Sequence, residues 1–269
     1  SSVGSYWYAV GTQPGAADAR EWTAVGQATS VAASSLTLSS GATYFLSVMA
    51  VDVAGNMGPS RSTDGILVAP LVERIGLAWA VEDAVPLSLT GKSVTATAPG
   101  SFWIEEPDRS AALKVVSGAG VEAGDVVDVA GELGKPAAQR VLFGDVCIVK
   151  NSGDPLSPVG LSLRDLGGAS WNALTTGVAG ARGLYNAGLL VRCWGKVYAA
   201  NQADPVNRYF TLGSGVAPDR AIRVRCGHAA FPPVGSFAVV TGVVEIEFID
   251  GIAEPVLMLR GPSDLITVP

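Results

Sequence analysis

Apolar and polar side chains alternate in short runs along these 269 residues, and Gly, Pro, Asn or Asp breaks the pattern every few positions. A two-residue period belongs to strands that bury one face. No window of a dozen residues keeps a 3.6-residue apolar stripe with sensible caps, so helices of ordinary length are not expected. The expected fold class is all-β. Hydrophobic residues make up 48% and charged ones 16%, enough to build cores and too apolar for disorder. No apolar run approaches the roughly 20 residues that cross a bilayer as a helix, so no membrane span is expected.

In the first 69 residues, strands are expected at Ser5–Val10, Trp22–Val25, Leu36–Leu38, Thr43–Val51 and Arg61–Val68, with a loop through Gln13-Pro14-Gly15. The spacing Leu38-x-x-Gly41-x-x-Tyr44 resembles the tyrosine corner of Ig-like sandwiches, in which the phenol bonds back to nearby backbone. Leu46, Val48 and Ala50 alternate in step with Tyr44 and are expected to share its buried face. With Ala50-Val51-Asp52-Val53-Ala54-Gly55-Asn56 and Thr63-Asp64-Gly65-Ile66, residues 5–68 resemble the end of bacterial fibronectin-type-III-like domains. The resemblance implies a partial sandwich over 1–69, because a complete one has about seven strands in about 100 residues. Its first two strands have no counterpart here, so the sequence is expected to start inside a domain. Such a half-sandwich exposes its core. Either upstream domains of the parent chain or a sister subunit donating strands would then complete it.

From about residue 86 the sequence repeats. Gly91-Lys92 matches Gly195-Lys196, Phe102-Trp103-Ile104 matches Arg208-Tyr209-Phe210, and Leu113-Lys114-Val115-Val116 matches Ile222-Arg223-Val224-Arg225. Gly124 and Gly131 recur as Gly235 and Gly242 at the same separation, as glycines at sharp barrel bends would. Each copy offers five short strands, the count of an OB barrel. The runs Ser101–Arg109 and Gly124–Gly131 are similar to OB-type domains of large secreted bacterial proteins. The expected organisation is a sandwich fragment over 1–69, a first barrel over 70–150, a wrapping linker over 151–188 and a second barrel over 189–269. The linker, rich in Gly, Leu, Ala and Asn, is expected to bury Trp171 and Tyr185 against the barrels.

The chemistry of an enzyme is not visible. His228 is the single histidine, no G-x-S-x-G elbow occurs, and Gly91-Lys92-Ser93 lacks the upstream glycine of a P-loop. Three cysteines, Cys147, Cys193 and Cys226, form no C-x-x-C and read mainly as free thiols, although Cys193 and Cys226 could bridge. Paired carboxylates at Glu105-Glu106, Asp125/Asp128 and Glu245/Glu247 read as solvated surface, and Asp52, Asn56 and Asp64 as loop-tip turn formers rather than a calcium site. No catalytic residue, metal or cofactor is expected.

One face stands out. Alternation along the second barrel turns Val191, Cys193 and Val197 inward and Arg192, Trp194, Lys196 and Tyr198 outward. It also leaves Tyr209 outside Phe210, and Arg223 and Arg225 outside Ile222 and Val224. Aromatic platforms among cations suit a polysaccharide or a single-stranded nucleic acid. Burial under the linker or the first barrel is the structural alternative. The net charge of −6 argues against nucleic acid, whose binding rests on phosphate neutralisation. The charge is uneven: −2 over 1–69, −4 over 70–150 and zero over 151–269. The expected role is a non-enzymatic structural or adhesive accessory region of a larger extracellular or cell-surface protein, within a multi-subunit assembly. The alternatives are a carbohydrate-binding module serving a hydrolase, or single-strand binding by the second barrel.

Overall fold

The computed structural model describes residues 2–202, 208–215, 221–227 and 231–268, and their regular structure is almost entirely strand. Two compact units divide the chain, Ser1–Leu71 and Val72–Pro269.

The first unit holds β1 (Val3–Gly11), β2 (Arg20–Ala24), β3 (Thr43–Asp52), β4 (Arg61–Ser62) and β5 (Ile66–Leu67). They form one sheet in the order β2-β1-β3-β4, with β5 also on β3. Tyr6, Tyr8 and Val10 of β1 stand opposite Ala50, Val48 and Leu46 of β3, so all six share a face. Over one half of it Tyr8, Val10 and Tyr44 pack with Val25, Ala33 and Val68. The Tyr44 hydroxyl accepts the Ser39 backbone N–H at 3.0 Å and fixes the entry to β3.

The other half is open. Leu46 and Val48, expected in the core, are 38% and 44% exposed. With Tyr6, Tyr8 and Val31 they line a groove of about 460 Å³. The strand expected at 36–38 does not form either. Both corrections share one cause. A strand needs a hydrogen-bonded neighbour and a sheet face needs a second layer, and the described residues of this unit supply a single sheet.

The second unit opens with the helical turn α1 (Ile75–Ala78). Then come β6 (Pro86–Ala98), β7 (Ser101–Glu105), β8 (Ala112–Val116), β9 (Asp125–Gly134) and β10 (Val141–Ser152), closed into a barrel in the order β6-β7-β8-β10-β9. A short β11 (Val159–Gly160) and a 3-10 turn at Leu163–Asp165 lead to β12 (Leu190–Asn201), β13 (Tyr209–Gly213), β14 (Ile222–Arg225), β15 (Phe237–Ile249) and β16 (Ile252–Met258). These five close by the same circuit, β12-β13-β14-β16-β15, and β17 (Leu265–Val268) adds to β15 outside it. In each circuit only the third and fifth strands pair parallel.

Each barrel is plugged by the segment ahead of it. Val72 donates to the Ser88 carbonyl at 2.8 Å, and Leu161 donates to Arg192, the matching position, at 3.1 Å. Ile75, Ala78 and Trp79 then enter the first core, and Leu163 and Leu166 the second. The linker therefore belongs to both cores, since Val178, Tyr185 and Ala187 further along it pack into the first. Tyr185 is buried and meets Trp79 edge-on, whereas Trp171, expected to be buried, stays 47% exposed with one edge on Trp79.

The ladder registers correct the sequence alignment in two places, by one residue at Lys196 and by two at Tyr209. Ser93 pairs with Glu105 where Lys196 pairs with Gly213, so Lys196 corresponds to Ser93 and not to Lys92. Trp103 pairs with Lys114 where Thr211 pairs with Arg223, so Tyr209 corresponds to Ser101. A bulge in β6 between Leu89 and Lys92, with Gly91 at φ +65°, adds the extra residue. It turns Lys92 inward, where its Nζ lies 2.8 Å from Glu106 Oε1 and both side chains are buried. The glycine match holds. A Cβ on Gly131 would sit 1.9 Å from the Phe143 carbonyl oxygen, and one on Gly242 2.7 Å from that of Met258, the residue matching Phe143.

Candidate functional site

The two barrels meet through unlike faces. Trp103, pointing out of the first barrel, is fully buried against Leu190 and Val243, with Ala96, Ala98 and Met258 around it. Lys114 lies over the Trp103 ring at 4.7 Å and pairs with Glu245 across the joint at 2.6 Å. Glu105 Oε1 accepts the Leu190 N–H at 2.6 Å, Arg109 donates to the Leu190 carbonyl at 2.8 Å, and Arg260 to that of Thr95 at 3.2 Å. Arg109 Nε lies 3.0 Å from Glu105 Oε2, but the approach is misaligned and Oε2 gains no hydrogen bond. Burial pushes the Glu105 carboxyl up to about 7, against the pull of Arg109 and the Leu190 N–H.

Three of the carboxylates expected at the surface are therefore buried: Glu105 and Glu245 by the other barrel, Glu106 by Lys92 and by the Ile75 N–H, which it accepts at 2.7 Å. Asp125 is buried too, accepting the Ser152 hydroxyl and the Glu122 N–H. Alternation cannot reveal this. An outward side chain is exposed only when nothing packs on that face.

On the second barrel the matching outward face of β13 and β14 is not covered in this way. Tyr209 stands opposite Arg225, and Thr211 opposite Arg223. The Arg223 guanidinium lies over the Tyr209 ring at 4.7 Å, repeating the cation-on-aromatic contact of Lys114 and Trp103. Arg225 pairs with Glu247 on β15. Tyr209, Arg223, Arg225 and Glu247, with Asn201, Phe248 and Ile249, line a groove of about 350 Å³. Its walls offer an aromatic face, two guanidinium groups, a carboxylate and an amide, suited to a polar or anionic surface with one aromatic or aliphatic contact.

The seven residues singled out in the sequence fall into two groups. Tyr209, Arg223 and Arg225 converge on the groove. Arg192, Trp194 and Lys196 lie along β12, where they stand opposite Thr241, Val239 and Phe237 of β15. Trp194 is 67% exposed and tilts toward Phe237, with centroids 6.5 Å apart, so neither the linker nor the first barrel covers it. Arg192 donates to the Thr241 hydroxyl at 3.1 Å. Tyr198 is the bulge residue between the two groups and is partly exposed. That bulge splits the expected face, because past it the outward positions are Ala199 and Asn201. Sequence reasoning missed Glu247, read as plain solvent-facing charge. Its place on a parity with Glu245, two residues along β15, was the available signal.

Cys147, Cys193 and Cys226 are free thiols, and burial raises all three, Cys193 to about 12. Both oxygens of Asp52 are spent within its own loop on Ala54 and Asn56. His228 lies outside the described residues. No family model matches the chain, and no curated protein or solved structure proves similar to it.

Proposed function

We propose that the chain is a non-enzymatic structural and adhesive accessory region of a larger extracellular or cell-surface protein, and that it docks partners through the Tyr209–Arg223–Arg225 face of its second barrel. One observation carries the reading. The corresponding face of the first barrel is already a protein contact, with Trp103 buried and Lys114 paired to Glu245. The shared circuit, with a parallel third-to-fifth pairing, supports an OB-like reading of both barrels. The Tyr44–Ser39 bond and the half-open sheet support a fibronectin-III-like fragment that other strands complete. The test is retention of the chain on candidate matrix proteins and cell-wall polymers at physiological salt. Retention that Arg223→Glu abolishes is expected, and retention indifferent to that change, or none at all, overturns the reading.

Polysaccharide binding is a second reading, favoured by the exposed Trp194 beside Phe237 and Tyr198. A glycan array on which Trp194→Ala changes nothing removes it. Nucleic acid is less well supported, since Glu247 already neutralises Arg225.

A further inference from the structure

We infer that the first unit receives one extended strand of a partner polypeptide, apolar at every second position, which pairs with residues 31–38 and fills the groove beside them. The inference rests on the reading of this unit as a fragment that other strands complete, and it names where and how the strand binds.

Two features meet at this place. The first is backbone. From Val31 to Ser39 the chain runs without turn or bend, and among the described residues no N–H from Val31 to Leu38 has an acceptor. Other contacts hold the segment: Arg20 donates to the Ser34 carbonyl at 2.5 Å, the Ser39 N–H ends on the Tyr44 hydroxyl, and Ala33 packs with Tyr8, Val10 and Tyr44. Its apolar positions run Val31, Ala33, Leu36 and Leu38, and the alternation slips by one residue at Ser35, which sits at φ +60°. Such a segment is a lone strand of a second layer, lying on the sheet with no neighbour of its own.

The second feature is apolar. The groove of about 460 Å³ starts where this segment starts, lined by Thr29 and Val31 and by Tyr6, Tyr8, Leu46 and Val48 of β1 and β3. A lipid tail or a sugar ring would cover those side chains and leave the row of N–H and carbonyl groups unmatched. A peptide strand answers both, backbone to backbone along 31–38 and side chain to groove. Only every second side chain of that strand faces the sheet, which sets the alternation required of it.

Amide-resolved hydrogen exchange on the full chain tests this, with a synthetic peptide alternating valine and threonine between terminal lysines. A control peptide holds the same residues in blocks. The alternating peptide is expected to slow exchange at every second amide of 31–38, because a neighbouring strand bonds only alternate residues. It should also protect Leu36 and Leu38 from chymotrypsin, and the block peptide should do neither. Val48→Lys, a change at an exposed side chain, is expected to abolish the protection and leave Tm within a few degrees of the parent. Protection that survives Val48→Lys overturns the inference, since the groove is then not what the strand fills. No protection at millimolar peptide also overturns it, as does equal protection by both peptides, the mark of unspecific apolar contact. Protection confined to Arg20–Ala24 shows a strand adding to the edge of the sheet at β2. In that case the inference fails alone and the reading of a fragment completed by other strands stands. The Arg223→Glu retention test, at the second barrel, is decided separately.

Discussion

At the scale of residues, the energetics concentrate at a few positions where one atom more or one charge less is felt. Gly131 is one. The Phe143 carbonyl occupies the space of a Cβ, so Gly131→Ala is expected to cost about 3 kcal/mol. For a unit of this size that lowers Tm by roughly 6–12 °C in calorimetry. Gly15, where a Cβ meets nothing within 4 Å, lies at φ +82° and should lose only the smaller cost of the left-handed backbone. Lys92 is another. Lys92→Met leaves Glu106 charged and buried, an expected loss of about 3–5 kcal/mol in urea unfolding. Glu105 gives a pH signature. Its carboxyl rises from 4.5 to about 7 in the folded chain, so the native state binds the proton more tightly. Its contribution to stability is full below pH 4.5 and is lost as pH climbs through 7. Urea midpoints are expected to fall between pH 5 and pH 8, and Glu105→Gln to flatten that fall. An unchanged slope in the variant would show that Glu105 is not the group responsible. None of these three environments is written in local sequence, because each is made by a neighbour from another strand or from the other barrel.

Strands and their partners set the next scale. The alternating pattern gives the strands themselves, and β1, β3, β7, β8, β13 and β14 lie where it puts them. Pairing decides whether an extended segment becomes a strand. Among the described residues, 29–38 have no strand partner and no backbone-to-backbone hydrogen bond. They are expected to be the first site cut in limited proteolysis, with chymotrypsin acting near Leu36 or Leu38 before the barrels are nicked. Cleavage starting within β6–β10 would contradict this. Bulges decide facing. The one in β6 turns Lys92 into the core, and the one at Tyr198 divides the aromatic face of β12. A single inserted residue exchanges inside for outside, and the sequence carries only a weak mark of it.

At the scale of the molecule, the joint between the barrels matters most. Trp103 is its centre, and Trp103→Ala is expected to cost about 3–5 kcal/mol. It should also split one cooperative unfolding of the second unit into two steps, visible as non-coincident fluorescence and circular-dichroism transitions. A single unshifted transition would show that the barrels do not depend on the joint. The all-β class, the internal repeat and the inward positions of the second barrel were legible in the amino-acid order, because strand period and glycine placement are local. So was the choice of Tyr209, Arg223 and Arg225 as outward residues. What only the tertiary structure decided is which outward faces stay open. Trp103 and Glu245 look like surface along their own strands and are buried by a barrel far along the chain, whereas Tyr209 and Trp194 look the same and remain uncovered. Alternation reports the direction of a side chain from its own backbone. Burial depends on what arrives from elsewhere, and no local pattern encodes that arrival.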